Sequence, residues 1–135
     1  ARGDRAGADD AFRAALADTT YASPIQPLVN AGRCAAIGRD WAKADGYLRR
    51  AVSIAPRNRP VLLMLAEAQL RLNRPLEARA FVQRADALGP DASTLDLAAK
   101  TEAAAGDAEA AARYRKRLSE EFPNYAPKAE GAGQQ

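Results

Sequence analysis

Three observations predict an all-α fold, a solenoid of antiparallel helix pairs. Of the 135 residues, 47% are hydrophobic but only 6% are aromatic, and alanine, the best helix former, supplies much of the apolar content. Valine, isoleucine and threonine, which favour strands, are scarce. A helical pattern also recurs at a fixed spacing, which is typical of stacked helix pairs.

The recurring pattern occupies four windows of eighteen residues. They are GDRAGADDAFRAALADTT (3–20), RDWAKADGYLRRAVSIAP (39–56), NRPLEARAFVQRADALGP (73–90) and GDAEAAARYRKRLSEEFP (106–123). The sixth residue of each window is alanine: Ala8, Ala44, Ala78 and Ala111. A larger residue follows four positions later: Phe12, Leu48, Val82 and Arg115. Three positions after that come Ala15, Ala51 and Ala85, and in the last window Leu118. Because these spacings keep residues on one helix face, we expect that face to pack against neighbouring helices.

Three of the windows end in proline, at Pro56, Pro90 and Pro123, with spacings of 34 and 33 residues. Proline stops a helix because it cannot donate the next backbone hydrogen bond. A period near 34 residues is typical of a helix-turn-helix solenoid.

The segments between the windows are predicted to form the first helix of each pair. They are IQPLVNAGRCAAIG (25–38), RPVLLMLAEAQLRLN (59–73) and ASTLDLAAKTEAAAG (92–106). Gly32, Ala66 and Ala99 fall at equivalent points, where we expect a partner helix to cross closely. The predicted units are a half repeat with a linker (1–24), three repeats (25–58, 59–91 and 92–125) and a flexible tail (126–135).

Composition argues against an enzyme. The chain has no histidine and a single cysteine, Cys34. It therefore lacks Ser-His and Cys-His nucleophile pairs and the commonest zinc ligand, and we expect no catalytic residues, metal or cofactor. It also lacks a run of about 18 apolar residues that could span a membrane.

The formal net charge is only +3, and the densest basic run surrounds Tyr114. Its members are Arg113, Arg115, Lys116 and Arg117. This run is either a solvated helix face, which we favour, or a patch for phosphate or anionic lipid. Nucleic acid is not an expected partner, because a binder would need interleaved aromatics and a continuous basic stripe.

The four aligned windows resemble the tetratricopeptide repeat over nearly the whole chain. The resemblance implies a right-handed α-solenoid whose first helices line the concave face. The family's usual tryptophan and tyrosine are missing from the first helices, whereas Trp41 and Tyr47 lie in a second helix. We expect Trp41 to pack between helices, with ligand stacking as the alternative.

Four local stretches are more specific. A linker with tyrosine and proline (21–27) precedes NAGRC (30–34) and YLRRA (47–51), and KRLSEEFP occupies 116–123. These stretches resemble the type IV pilus biogenesis/stability lipoproteins, the secretin pilotins. The resemblance implies the C-terminal part of a longer protein that carries an N-terminal lipid.

The resemblance also implies a non-enzymatic scaffold at the periplasmic face of the outer membrane. Such a protein binds secretin subunits of the type IV pilus and promotes their outer-membrane localisation and multimerisation, which pilus biogenesis and twitching motility require. Other pilus assembly proteins are further candidate partners. The alternative is another tetratricopeptide interaction scaffold of a bacterial secretion or pilus system.

On this reading, ten residues are expected to project from the first helices toward a partner. They are Gln26, Val29, Arg33, Ile37, Leu63, Glu67, Leu70, Arg71, Asp96 and Lys100. Such a mixture of apolar and charged groups suits a peptide groove, and the alternative is an exposed inner face that binds nothing. For Cys34 we expect a small buried residue. The alternative is a disulfide to an upstream segment missing from this chain, since the periplasm permits disulfides.

Overall fold

The computed structural model describes residues 25–126, which form three antiparallel helix pairs and no strand within that range. The helices are α1 (Ile25–Ile37), α2 (Trp41–Ile54), α3 (Arg59–Arg71), α4 (Pro75–Ala87), α5 (Ala92–Ala104) and α6 (Ala108–Glu121). Each lies inside a segment predicted to be helical, and the all-α class is confirmed. The predicted half repeat at 1–24 and the tail positions 127–135 lie outside the described residues.

Most of the helices begin at a side chain that caps the first turn. The side-chain oxygens of Asp40, Asn58, Asp91 and Asp107 each accept a hydrogen bond from the backbone N–H three residues later, at 2.8–3.2 Å. Such caps satisfy donors that have no partner inside the helix. Helix α4 begins instead at Pro75, whose missing N–H costs nothing in the first turn.

The turn inside each pair reverses the chain through a residue in the left-handed conformation. Arg39, Asn73 and Gly106 lie at equivalent positions, with φ of 59°, 60° and 85°. A left-handed residue ends a helix and redirects the chain. The residue that follows is the N-cap of the second helix.

The helices stack in chain order, each against the next. The first helices of successive pairs also contact one another, α1 with α3 and α3 with α5. Within residues 25–126, the backbones of α2 and α4, and of α4 and α6, do not come into contact. The first helices therefore lie on the inner side of the curve.

The core includes the residues that the repeat predicts on the second helices. Ala44, Ala78 and Ala111 are fully buried, and Leu48 and Val82 are at most 2% exposed. The close crossing predicted at Gly32 is confirmed, because a Cβ atom there would lie 2.7 Å from Cγ of Leu48. A larger residue in α1 would force α1 and α2 apart.

The last window departs from the pattern at the outer end of the stack. Arg115 is exposed and Leu118 is half-buried, and the buried residues of α6 are Ala110 and Ala111. Among the described residues, no helix packs against α5 and α6 from the far side. A charged residue is therefore tolerated where the other repeats bury Leu48 or Val82.

Two expectations about single residues have different outcomes. Cys34 is exposed and free, so the expectation of a buried cysteine is wrong. The buried face of α1 in that turn is formed by Ala31, Gly32 and Ala35, and Cys34 points elsewhere. Trp41 packs against the core as expected, and the guanidinium of Arg71 lies 5.4 Å from its ring centre.

No helix within 25–126 is long and apolar enough to cross a membrane.

Candidate partner-binding surface

The predicted residues of α1 give the most open part of the first-helix surface. Gln26, Arg33 and Ile37 are exposed, and Ile37, at 77%, is the most exposed large apolar side chain among the described residues. The prediction that Val29 projects toward a partner is wrong. Val29 is only 8% exposed and belongs to the core, because it shares the buried face of α1 with Gly32 and cannot meet a partner directly.

On α3, the predicted residues are divided between the core and the surface. Leu63 and Leu70 are half-buried and pack against two separate core clusters, so each offers only part of its side chain. Glu67 Oε1 lies 3.2 Å from Arg71 Nε. Arg71 in turn stacks over Trp41, so α2 holds this ion pair in place.

On α5, the predicted residues Asp96 and Lys100 form an ion pair, and Asp96 also accepts a hydrogen bond from Tyr125, which was not predicted. Lys100 Nζ lies 3.3 Å from Asp96 Oδ2, and the hydroxyl of Tyr125 donates a hydrogen bond to the same oxygen at 3.1 Å. Burial raises the pKa of Tyr125, and the negative charge of Asp96 raises it further. The signal for Tyr125 was slight, an aromatic residue two positions after Pro123.

The three first helices are neighbours, so their outward residues form one surface. Its α1 end has an exposed isoleucine beside an exposed arginine, whereas the charges on α3 and α5 are paired. Among residues 25–126, no three acidic or cysteine side chains come together as a metal site. Apolar contact and charge pairing with a polypeptide are the interactions that this surface can make.

The second helices are joined by ion pairs between successive repeats. Arg49 Nη2 lies 2.7 Å from Glu77 Oε2, and Arg117 makes two 3.0 Å hydrogen bonds to Asp86. Hydrogen bonding to Asp45 on the same helix, and then to Glu77, raises the pKa of Arg49 above its usual value. Hydrogen bonding to Asp86 raises the pKa of Arg117 in the same way. The bonds to Glu77 and Asp86 span the gap between helices whose backbones do not touch.

The basic run on α6 therefore divides into two parts. Arg113, Arg115 and Lys116 are exposed, as a solvated helix face requires. Arg117 departs from that interpretation, because it is fixed to Asp86 of α4 and stacks over Tyr114.

A family profile for the tetratricopeptide repeat matches residues 38–101. No curated protein matches the sequence significantly.

Two solved structures resemble this chain over most of its length. PilW, described as a widely conserved type IV pilus biogenesis factor, aligns with a TM-score of 0.80 and 28% sequence identity, over 90% of this chain and 56% of that one. PilF of Pseudomonas aeruginosa aligns with a TM-score of 0.68 and 20% identity, over 90% of this chain and 57% of that one. The chain thus spans little more than half the length of these structures, and the second match concerns the fold alone.

Proposed function

We propose that this tetratricopeptide-repeat chain, similar to a type IV pilus biogenesis factor, belongs to a non-enzymatic periplasmic scaffold for the pilus secretin. The scaffold binds secretin subunits and promotes their outer-membrane localisation and multimerisation. The observation that carries the proposal is the structural match to PilW over most of the described residues. Fold alone does not assign a partner, so the partner must be tested directly.

The first-helix surface supplies the contacts in this proposal. Ile37 is the apolar anchor, and Arg33, one turn earlier on α1, supplies a charge beside it. A few residues usually carry most of the energy of an interface once they are buried there, and arginine is common among them. The ion pairs between second helices hold the repeats in register, so little order has to be gained on binding.

Assembly follows from binding and tethering. A scaffold held at the outer membrane by an upstream lipid raises the local concentration of each subunit that it binds. High local concentration favours association of subunits without any chemical step. The chain itself would contribute a rigid surface and a fixed spacing between its contacts.

The test is a secretin pull-down with the full-length protein that carries Ile37→Ser and Arg33→Ser together. We expect binding to fall by at least about fivefold, because the variant loses the exposed anchor and its neighbouring charge. The matched control is Leu76→Ser on α4 with Arg74→Ser at its N-cap, which also removes a 65% exposed apolar residue and an exposed arginine. Circular dichroism verifies that both variants fold.

Full binding by the folded α1 variant, or equal loss in the α4 control, would remove the first-helix surface from the proposal. The same two variants placed in the chromosomal gene extend the test to assembly. The α1 variant should reduce secretin multimers and twitching, and the α4 control should not.

A further inference from the structure

A polar groove lies between α4, the end of α5 and α6, on the side of the stack opposite the first-helix surface. Its volume is about 380 Å³, which falls in the range of small ligand sites. Arg79, Gln83, Glu102, Arg113, Tyr114 and Arg117 line most of it. The groove is separate from the first-helix surface, because its exposed lining comes mainly from second helices.

The acceptors in the groove are already in use. Glu102 is 6% exposed and receives three hydrogen bonds from the guanidinium of Arg79, at 2.6–3.1 Å. Asp107 also lines the groove and caps α6 by accepting from the backbone N–H of Ala110 at 2.9 Å. Glu102 is therefore not left as a strong acceptor for a ligand, and one oxygen of Asp107 is held by the cap.

The donors, by contrast, are in excess. Within the described part of the chain, the guanidinium of Arg113 has no carboxylate partner, and the amide of Gln83 and the hydroxyl of Tyr114 have no hydrogen-bond partner. Burial raises the pKa of Tyr114, and the charges of Asp86 and Glu102 raise it further. The phenol therefore remains protonated at neutral pH, as a donor. Arg117, fixed on Asp86, stacks 5.6 Å from the Tyr114 ring and orients it.

We propose that this groove binds a glutamate or aspartate side chain from an acidic segment of a protein partner. Arg113 forms the ion pair, and Tyr114 and Gln83 donate hydrogen bonds to the same carboxylate. A singly charged carboxylate suits the groove better than phosphate, because Glu102 and Asp107 in the lining would repel a second negative charge. The inference does not depend on the secretin, since it concerns another side of the molecule.

The test is an NMR titration of the ¹⁵N-labelled chain with the peptide acetyl-Gly-Glu-Glu-Gly-amide at low salt. We expect saturable shifts at the backbone amides of Gln83, Arg113 and Tyr114. Arg113→Gln should weaken binding by about fivefold, the upper range for an exposed ion pair. The control is Arg115→Gln, which removes an equally exposed arginine outside the groove and should change the affinity by less than about twofold.

Two comparison ligands identify the chemistry. Acetyl-Gly-Gln-Gln-Gly-amide should give no saturable shift at these amides, and inorganic phosphate should bind more weakly than the acidic peptide. The inference is overturned if the glutamine peptide or phosphate binds as well as the acidic one. It is also overturned if the acidic peptide does not bind, or if Arg113→Gln leaves its affinity unchanged. A secretin pull-down that fails would leave these outcomes unaffected.

Discussion

Three glycines of this chain have different surroundings, which decide what a side chain would do at each position. Gly32 lies where α1 and α2 cross, and an added Cβ would meet the buried Leu48 side chain. Gly46 lies inside α2 with nothing within 4 Å of an added Cβ. Gly106 adopts φ of +85° in the turn between α5 and α6, where other residues are strained. The same substitution should therefore have different effects at the three positions.

Replacement of each glycine by alanine tests this view. Gly46→Ala should raise the free energy of unfolding by about 0.5–1 kcal/mol, because alanine favours the helix. Gly32→Ala should lower it by about 1–2 kcal/mol, since overpacking against Leu48 exceeds the helical gain. Gly106→Ala should lower it by about 1 kcal/mol through left-handed strain. Urea unfolding measures all three, and a stabilised Gly32→Ala variant would contradict the close crossing.

At the scale of elements, hydrogen bonds fix both ends of the loop between α4 and α5. The guanidinium of Arg59, at the start of α3, donates to the carbonyl oxygen of Leu88 at 3.0 Å and also to that of Gly89. Asp91 then caps α5 by accepting from the backbone N–H and the hydroxyl of Thr94, at 2.8 and 2.7 Å. These bonds fix the angle at which the third pair leaves the second.

The Asp91 cap should give a pH-dependent contribution to stability. Partial burial would raise the pKa of Asp91, but hydrogen bonds from Thr94 and the charge of Arg59 lower it below its ordinary value. A carboxylate with a lowered pKa in the folded state stabilises the protein above its unfolded pKa. That stabilisation is lost as the pH falls through the folded pKa.

We therefore expect Asp91→Ala to cost about 1 kcal/mol of unfolding free energy at pH 7. The difference from wild type should shrink as the pH falls below about 4, the ordinary carboxylate pKa. Unfolding curves at several pH values provide the measurement, with Glu120→Ala as the control, since Glu120 is an exposed carboxylate far from any helix N-terminus. A cost independent of pH would show that the charge of Asp91 does not contribute.

At the scale of the whole molecule, the outer face of the last pair ends the stack of described helices. Arg115 stands in the position where the preceding repeats bury Leu48 and Val82, and it is exposed. A repeat against which no further helix packs needs a polar outer face to remain soluble. The arginine prevents this end from acting as the apolar face of another repeat.

Arg115→Leu should restore the repeat pattern and create an apolar end. We expect a measurable dimer at high micromolar concentration, because exposed apolar patches at the end of a solenoid associate. Arg50→Leu is the control, since it removes an exposed arginine from α2 at a position that is not part of the packing pattern. Sedimentation equilibrium distinguishes the two, and a monomeric Arg115→Leu variant would contradict this role of the arginine.

The sequence by itself determined the helices, their pairing and the packing face of the second helices. The spacing of Ala44, Leu48 and Ala51 places them on one face of a helix, and helical periodicity is a local property of the chain. Capping residues such as Asp40 and Asp107, and the small residue at Gly32, are local signals of the same kind. The repeating windows and the segments between them located all six described helices.

Only the tertiary structure decided which polar and borderline residues face a partner. On α1, Val29 is buried although it was expected to be exposed, and Cys34 is exposed although it was expected to be buried. The boundary of the buried face depends on how closely α2 packs against α1. The Arg117–Asp86 pair and the Tyr125–Asp96 bond join residues 31 and 29 positions apart. Such contacts depend on the angle between successive pairs, and a pattern of helical spacing within each pair does not specify that angle.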